Sequence, residues 1–294
     1  VITFTDQAAV LDDSAGSGIV ITFGAVDDQG VEWRYTGLTG WDSPDLGETA
    51  ENRTGADGMW DSTNYFSGRM VAVDGQIKAP TAAALDAAMA QLSRALPARG
   101  TTGVSFTVRE TPAKQVTGRR SGRLMMDKLT DVVAEFSISL LAPDPRKYLV
   151  DAQTVLASLG DVGGGVTLPT SLPLILPTRD PGGEYFTAVN AGGYETPPLI
   201  RIAGPGRNLG VANLTTGQAL VYPFELLTGD ELVIDTAVGT ATINGTAYRA
   251  PSAGSSVVAR FLLPPGLNDL QMLGTRTVAG LTPLLTMTWR SAWI

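Results

Sequence analysis

Leu141-Ala142-Pro143-Asp144-Pro145-Arg146 divides the chain. Neither proline can donate to a strand ladder, and each holds the residue before it extended, so a strand arriving from the N-terminal side has to stop here. The residues before this exit read as strands plus one helix. Those beyond it read as strands alone.

Working back from the exit, residues 132–141 alternate Val132, Ala134, Phe136, Ile138 and Leu140, the period of a half-buried strand. Val104, Phe106 and Val108 alternate in the same way, and 69–78 (RMVAVDGQIK) reads as a further strand. In 19–37, Ile19, Ile21 and Phe23 alternate, Asp27-Asp28-Gln29-Gly30 supplies a turn, and Val31, Trp33 and Tyr35 alternate on the return, which predicts a hairpin. The spacing of Leu85, Met89, Leu92 and Leu96 predicts a helix over 81–96, capped by Thr81 and ended by Pro97, with its apolar stripe laid on a sheet.

Two charged segments interrupt this pattern. Residues 40–68 read as a long loop carrying Asp42, Asp45, Glu48, Glu51, Asp57 and Asp61 together with Trp41, Trp60, Tyr65 and Phe66. Two tryptophans are costly to leave in water, so they either cap the core or meet a partner. Residues 109–128 hold Arg109, Lys114, Arg119, Arg120, Arg123 and Lys128, opposed only by Glu110 and Asp127, and read as an extended hairpin arm with a positive surface. Such a run is either a solvated face or a contact with an acidic neighbour, such as the 40–61 loop of an adjacent subunit. The candidate subunit-interface residues are therefore Arg109, Lys114, Arg119, Arg120 and Arg123 on one side and Trp41, Asp42, Asp57, Trp60 and Asp61 on the other.

Beyond the exit, Gly163-Gly164-Gly165 and the prolines from Pro169 to Pro181 read as a linker running into a first edge strand. From residue 184 short strands recur at intervals of about eight to twelve residues, as in all-β sandwiches. They are expected at 185–189, 198–203, 208–214, 218–227, 231–235, 239–243, 246–249, 257–263, 268–273 and 284–291. Asn244-Gly245 is a type I′ hairpin signal. The fold class is mainly β. Residues 1–150 form a β domain with one α-helix, 151–183 a linker and first edge strand, and 184–294 a β-sandwich of jelly-roll type.

The 294 residues suffice for two domains, and 44% hydrophobic against 17% charged residues argues against disorder. The chain has no Cys and no His, which excludes disulfides, thiolate zinc sites and Ser/His or Cys/His nucleophilic catalysis. No cofactor or metal is expected: Asp12-Asp13 and Asp27-Asp28 do not match a calcium loop, and the triple glycine lacks the Lys-Ser/Thr of a phosphate cradle. Paired carboxylates, Asp42/Asp45 and Asp57/Asp61, are the one acid/base option, and acidic loops are a nonspecific signal for it. A net charge of −8 disfavours nucleic-acid binding by the whole chain. No apolar run is long enough to span a membrane, and VITFTDQAAV lacks the basic-then-apolar pattern of a secretory leader.

The order of these pieces, with Leu141-Ala142-Pro143-Asp144-Pro145-Arg146-Lys147-Tyr148 at the exit, resembles the distal tail proteins of long-tailed, non-contractile bacteriophages. So do Asn190-Ala191-Gly192, Glu195-Thr196-Pro197-Pro198, Asn213-Leu214-Thr215-Thr216-Gly217, Gly229-Asp230-Glu231-Leu232-Val233-Ile234-Asp235-Thr236, Ile243-Asn244-Gly245, Pro265-Gly266-Leu267-Asn268 and Thr288-Trp289-Arg290-Ser291-Ala292-Trp293. The resemblance covers nearly the whole chain. It implies an N-terminal split-barrel-like domain that assembles into a hexameric ring, with DNA passing through its centre unbound, and an outward galectin-like C-terminal domain. The implied place is the distal end of the virion's tail. The implied partners are copies of the chain itself, the tail tube protein and a tail-associated or tail-tip protein, with the tape measure or a receptor-binding protein as further neighbours. It implies no catalytic residue. An alternative is a carbohydrate-binding adsorption module, with Tyr222, Tyr248, Trp289 and Trp293 of the sandwich as stacking platform.

Overall fold

The computed structural model describes residues 9–13, 16–47, 51–60, 63–97, 103–159 and 184–294. It is mainly β, with one α-helix and one short 3-10 helix among the described residues. The chain divides into two compact units, residues 1–150 with Ile294, and residues 151–293.

The first unit is built on one antiparallel sheet. Its strands run in the order Ile19–Phe23, Ala9–Asp13, Val104–Val108, Lys114–Arg120, Val133–Ala142, Arg69–Lys78, Glu32–Thr39 and Ala25–Val26. The sheet stays open, because the two end strands each pair on one side only. Arg69–Lys78 shows why these residues make a strand: Val71, Val73 and Ile77 point inward and are buried, while their neighbours point out. The helix Ala82–Ala95 buries Leu85, Ala88, Leu92 and Ala95, and the Thr81 hydroxyl accepts from the Ala84 N–H at 3.2 Å. Met89, expected on the buried stripe, is only partly buried, and Ala88 takes the inward place.

Two local readings change. The hairpin expected over 19–37 is shorter, because Gly24 (φ +83°) bends the chain. Ile19–Phe23 turns away to pair with Ala9–Asp13, and only Ala25–Val26 pairs back onto Glu32 and Trp33. Nor is 109–128 a hairpin arm. Lys114–Arg120 is an inner strand paired to Val104–Val108 and, at Arg119 and Arg120, to Val133–Ala142, whereas Met125–Thr130 pairs separately with Val133–Ala142.

The second unit is a sandwich of two antiparallel sheets closed on one core. One sheet runs Gln153–Ser158, Leu284–Trp289, Leu199–Ala203, Glu231–Asp235, Thr240–Ile243, Ala247–Tyr248. The other runs Tyr185–Asn190, Gly266–Thr275, Gly206–Asn213, Gln218–Val221, with Glu225–Leu226 paired to the start of Gly206–Asn213. Ile200, Ile234 and Met287 from the first meet Val211, Leu220 and Met272 from the second. The strand Gln153–Ser158 precedes the glycine- and proline-rich stretch, and that stretch, 160–183, lies outside the described residues.

Three expectations are corrected here. Pro223 has no N–H to donate, and 218–227 breaks into two strands around it. Residues 257–263 contain the 3-10 turn Val258–Arg260 in place of a strand. Asn244 and Gly245 both adopt positive φ, yet Ile243 pairs with Ala247, so the hairpin loop holds three residues, not two.

The first core is tightest where Phe136 lies 5.5 Å from Phe23 and 6.4 Å from Trp33, centroid to centroid. Gly75 makes room for it: a Cβ there would stand 2.5 Å from the Phe136 ring and 2.2 Å from the Arg34 carbonyl oxygen. Gly75→Ala is therefore expected to destabilise the protein by about 1–3 kcal/mol, the usual cost of overpacking. Denaturant unfolding measures it, and an unchanged midpoint would contradict this packing.

Candidate functional site

A buried charged cluster fixes the segments that frame the first unit's surface. Arg69 opens its strand at an inward position, in step with Val71 and Val73, and is fully buried. Its Nε donates to the Pro145 carbonyl at 2.8 Å, and its Nη1 to those of Gly40 at 3.1 Å and Trp41 at 2.7 Å. Its Nη2 is buried without a partner among the described residues. Lys147, also buried, donates to the Trp41 carbonyl at 3.1 Å, with its Nζ 5.5 Å from the Trp41 ring. The Trp41 indole donates to Glu110, which also accepts from Lys114 at 2.6 Å.

This cluster settles the place of two predicted interface residues. Trp41 is a core residue, edge-on to Phe106 at 6.0 Å, and offers nothing to a partner. Lys114 is committed to Glu110, with its side chain mostly buried. Burial and the nearby Arg69 charge push the Lys147 ammonium down from its usual range. Burial pulls Glu110 upward, but the hydrogen bonds from Lys114 and Trp41, with the Lys114 and Lys147 charges, outweigh it and hold the carboxyl below its ordinary value. Sequence reading missed Arg69, Glu110 and Lys147 as a group. The available signal was parity: a charge at an inward position of an alternating strand has to be partnered.

Beyond Trp41 the expected loop carries a ribbon of two short strand pairs among the described residues. Leu46–Gly47 pairs with Tyr65–Phe66, and Glu51–Asn52 with Met59–Trp60. Among the described residues these strands pair only with each other. Trp60 is 65% exposed and Tyr65 76%, with Leu46 and Met59 also exposed. The Arg53 guanidinium lies 4.7 Å from the Trp60 ring centre. Asp42, Asp45 and Asp57 are exposed, and Asp61 lies outside the described residues.

The predicted basic residues separate into two places. Arg109 follows the strand Val104–Val108 and is exposed. Arg119, Arg120 and Arg123 lie at and just past the end of Lys114–Arg120, with Arg119 and Arg123 exposed and Arg120 half-buried. Lys128 is paired with Asp86 of the helix.

In the sandwich the proposed stacking platform does not form. Tyr222 is fully buried, and burial pushes its hydroxyl up to about 12. Trp289 is buried and donates to the Val189 carbonyl at 3.0 Å. Trp293 is half-buried, and of the four only Tyr248 is openly exposed. Among the described residues no cluster of acidic side chains could hold a metal ion, and no helix is long and apolar enough to cross a membrane.

The short motifs of the C-terminal half prove to be buried amide staples and turns. Asn190 donates to the carbonyls of Tyr194 (2.7 Å) and Leu263 (3.0 Å) and accepts from the N–H groups of Gly192 and Ala292. Gly192 sits so close to Ala292 that a Cβ would fall 1.8 Å from its carbonyl oxygen. Asn268 donates to Pro264 and Gly266, and Asn213 accepts from Thr215 and Thr216. Asp235 accepts from Ala237 and Val238, and the Thr236 hydroxyl donates to Pro198 at 2.7 Å. At the exit, Asp144 accepts from the Tyr148 hydroxyl and the Arg146 N–H.

Glu110→Gln is expected to lower stability by about 1–2 kcal/mol at neutral pH through the weakened bonds to Lys114 and Trp41. Because the folded carboxyl titrates below its ordinary 4.5, this stabilisation is fully present above that value and disappears as pH falls through the folded pKa. Urea unfolding of both proteins across the acid range tests it. A difference that stays constant to the lowest pH would contradict the ion pairing.

These features agree with what the chain is similar to. Residues 191–293 match the family model described as the siphovirus-type tail component, C-terminal domain. The crystal structure of the SPP1 Dit protein, described as a paradigm of the hub adsorption apparatus of phages infecting Gram-positive bacteria, is similar with TM-score 0.55 and 14% identity, over 88% of this chain and 93% of that one. The phage P2 baseplate in its activated conformation with Ca contains a chain similar with TM-score 0.53 and 12% identity, over 96% and 97%. No curated protein matches the chain. Residues 191–293 are thus similar to the C-terminal domain of siphovirus-type tail components, and the fold of the chain is similar to that of the SPP1 Dit protein and of a chain in the phage P2 baseplate.

Proposed function

We propose that this protein is a structural hub at the distal end of a long, non-contractile phage tail. In this reading copies of the chain close into a hexameric ring on the end of the tail tube. The ring joins the tube protein on one side to a tail-associated or tail-tip protein on the other, with the tape measure or a receptor-binding protein as further neighbours. DNA passes through without specific contact, which the acidic net charge favours. The work is mechanical: the chain holds partners in register and makes or breaks no covalent bond.

The observation that carries this reading is the ribbon of Leu46–Gly47, Glu51–Asn52, Met59–Trp60 and Tyr65–Phe66. It exposes Leu46, Met59, Trp60 and Tyr65 on short strands that pair with nothing else described. Large apolar side chains left exposed on self-paired strands are costly in water and are the usual mark of a segment that a partner covers. Carboxylates at Glu51 and Asp57 are exposed on the same segment. The carbonyls of Gly40 and Trp41, held by Arg69 and Lys147, anchor the start of this segment to the first unit.

Trp60→Ser combined with Tyr65→Ser tests the reading in tails. Both side chains are exposed, so the doubly substituted chain is expected to fold and melt like the parent. It is expected to enter tails at least tenfold less often when supplied to a phage lacking its own copy, read by the count of completed tails. Tails completed at the parental level would contradict the ribbon's role.

A further inference from the structure

The outward face of the first unit's sheet carries an acidic groove of about 430 Å³, lined by Thr36, Asp74, Gln76, Met125, Asp127 and Glu135 among others. A bulge between Tyr35 and Gly37 sets Thr36 at its margin. Register aligns Arg34, Gln76, Glu135 and Asp127 in one row across four strands. Asp127 and Glu135 are thus directly opposite each other on an antiparallel pair, both exposed. Like charges in that position repel and destabilise the sheet. Little in the subunit relieves them. Gln76 donates to Glu135 at 3.0 Å, but it is neutral. Arg34 is held by Glu32 at 2.9 Å, and Lys128 by Asp86. No ion pair is formed by Asp74 or Asp127 among the described residues. An isolated carboxylate pair that costs stability in the free subunit is the arrangement a cationic partner would complete.

The same face supplies that cation at its other end. Arg119 is exposed and forms no ion pair among the described residues. Arg119 is registered to Leu141, six residues along the strand from Glu135, or about 20 Å at the usual rise. An arginine side chain is far too short to cross that distance, so Arg119 cannot serve its own groove. Two complementary patches separated on one face are what a head-to-tail contact requires, and head-to-tail contacts are the kind that close into rings.

We infer that Arg119 of one copy docks into the Asp74–Asp127–Glu135 groove of the next. The guanidinium fork meets the opposed carboxylates, and Met125 beside them covers the arginine stem. This inference rests on the ring reading and names one of its contacts. It replaces the acidic 40–61 segment as the destination of Arg119. Opposite charges placed this way set register and exclude the wrong face more than they add raw affinity.

Charge reversal in two variants tests it. Arg119→Glu makes both patches acidic; Asp127→Lys with Glu135→Lys leaves both positive. In native mass measurements at low salt the parent chain is expected as a closed assembly and each variant alone as a monomer. An equimolar mixture of the two is expected to assemble again, because each variant's reversed patch then meets a complement on the other. Recovery in the mixture also shows that both variants are folded. Variants that assemble alone as the parent does, or a mixture that fails to assemble, would overturn this contact while leaving the ring standing. A parent chain that stays monomeric at low salt up to high concentration would overturn the ring reading and this contact with it.

Discussion

A fully buried guanidinium must be hydrogen-bonded or the first unit cannot hold together, and the chain supplies three backbone carbonyls for Arg69. Those carbonyls come from two places distant in sequence, Gly40 and Trp41 at the start of the aromatic ribbon and Pro145 in the exit. One side chain thus sets where the ribbon leaves the sheet and where the chain leaves the unit. Gly40 has to approach closely for this: at φ +76° it lies so near that a Cβ would be 1.9 Å from the Met70 carbonyl oxygen. Lys147 and Glu110 complete the cluster, adding a second cation to the Trp41 carbonyl and an acid to its indole. Breaking such a cluster costs more than any single surface pair, since each removed partner strands a buried polar group.

Much of the architecture could be read before any coordinates. Alternation marked Arg69–Lys78 and Val133–Ala142, the Thr81 cap and Pro97 bounded the helix, and the proline pair marked the exit. These are local signals, written in a few neighbouring residues. The failures have one cause, that periodicity does not say what a strand pairs with. Ile19–Phe23 looked like half of a hairpin until Gly24 redirected it, and the basic residues looked like an arm although Lys114–Arg120 lies inside the sheet. Side-chain fate was the least legible of all. Trp41 and Trp60 stand nineteen residues apart in one acidic segment, yet one is core and the other surface, and Trp289 and Tyr222 are buried where a platform was envisaged. Inward parity at Arg69 was the one available signal for the buried cluster, and the reading of 69–78 as a strand passed over it.

The short C-terminal motifs have a structural reason for being what they are. Asn190, Asn213 and Asn268 each spend an amide on closing a turn against the sandwich, where a hydrocarbon side chain would leave backbone groups unpaired. They stiffen the unit by pairing backbone groups at its turns. The two units therefore divide the work in a way that suits a hub. The sandwich is tied down by buried amides, whereas the first unit carries an exposed aromatic ribbon and a sheet face with separated charges. Rigid bodies with dissimilar exposed surfaces suit the proposed structural role.

The central claim concerns place and company: this chain sits in several copies around the end of the tail tube. Electron cryo-microscopy of intact tails carrying the chain addresses it most directly. The account predicts six copies of the first unit's sheet resolved as a closed ring at the distal end of the tube. Tails in which density for the chain is found elsewhere, or at that end as a single copy, would contradict it.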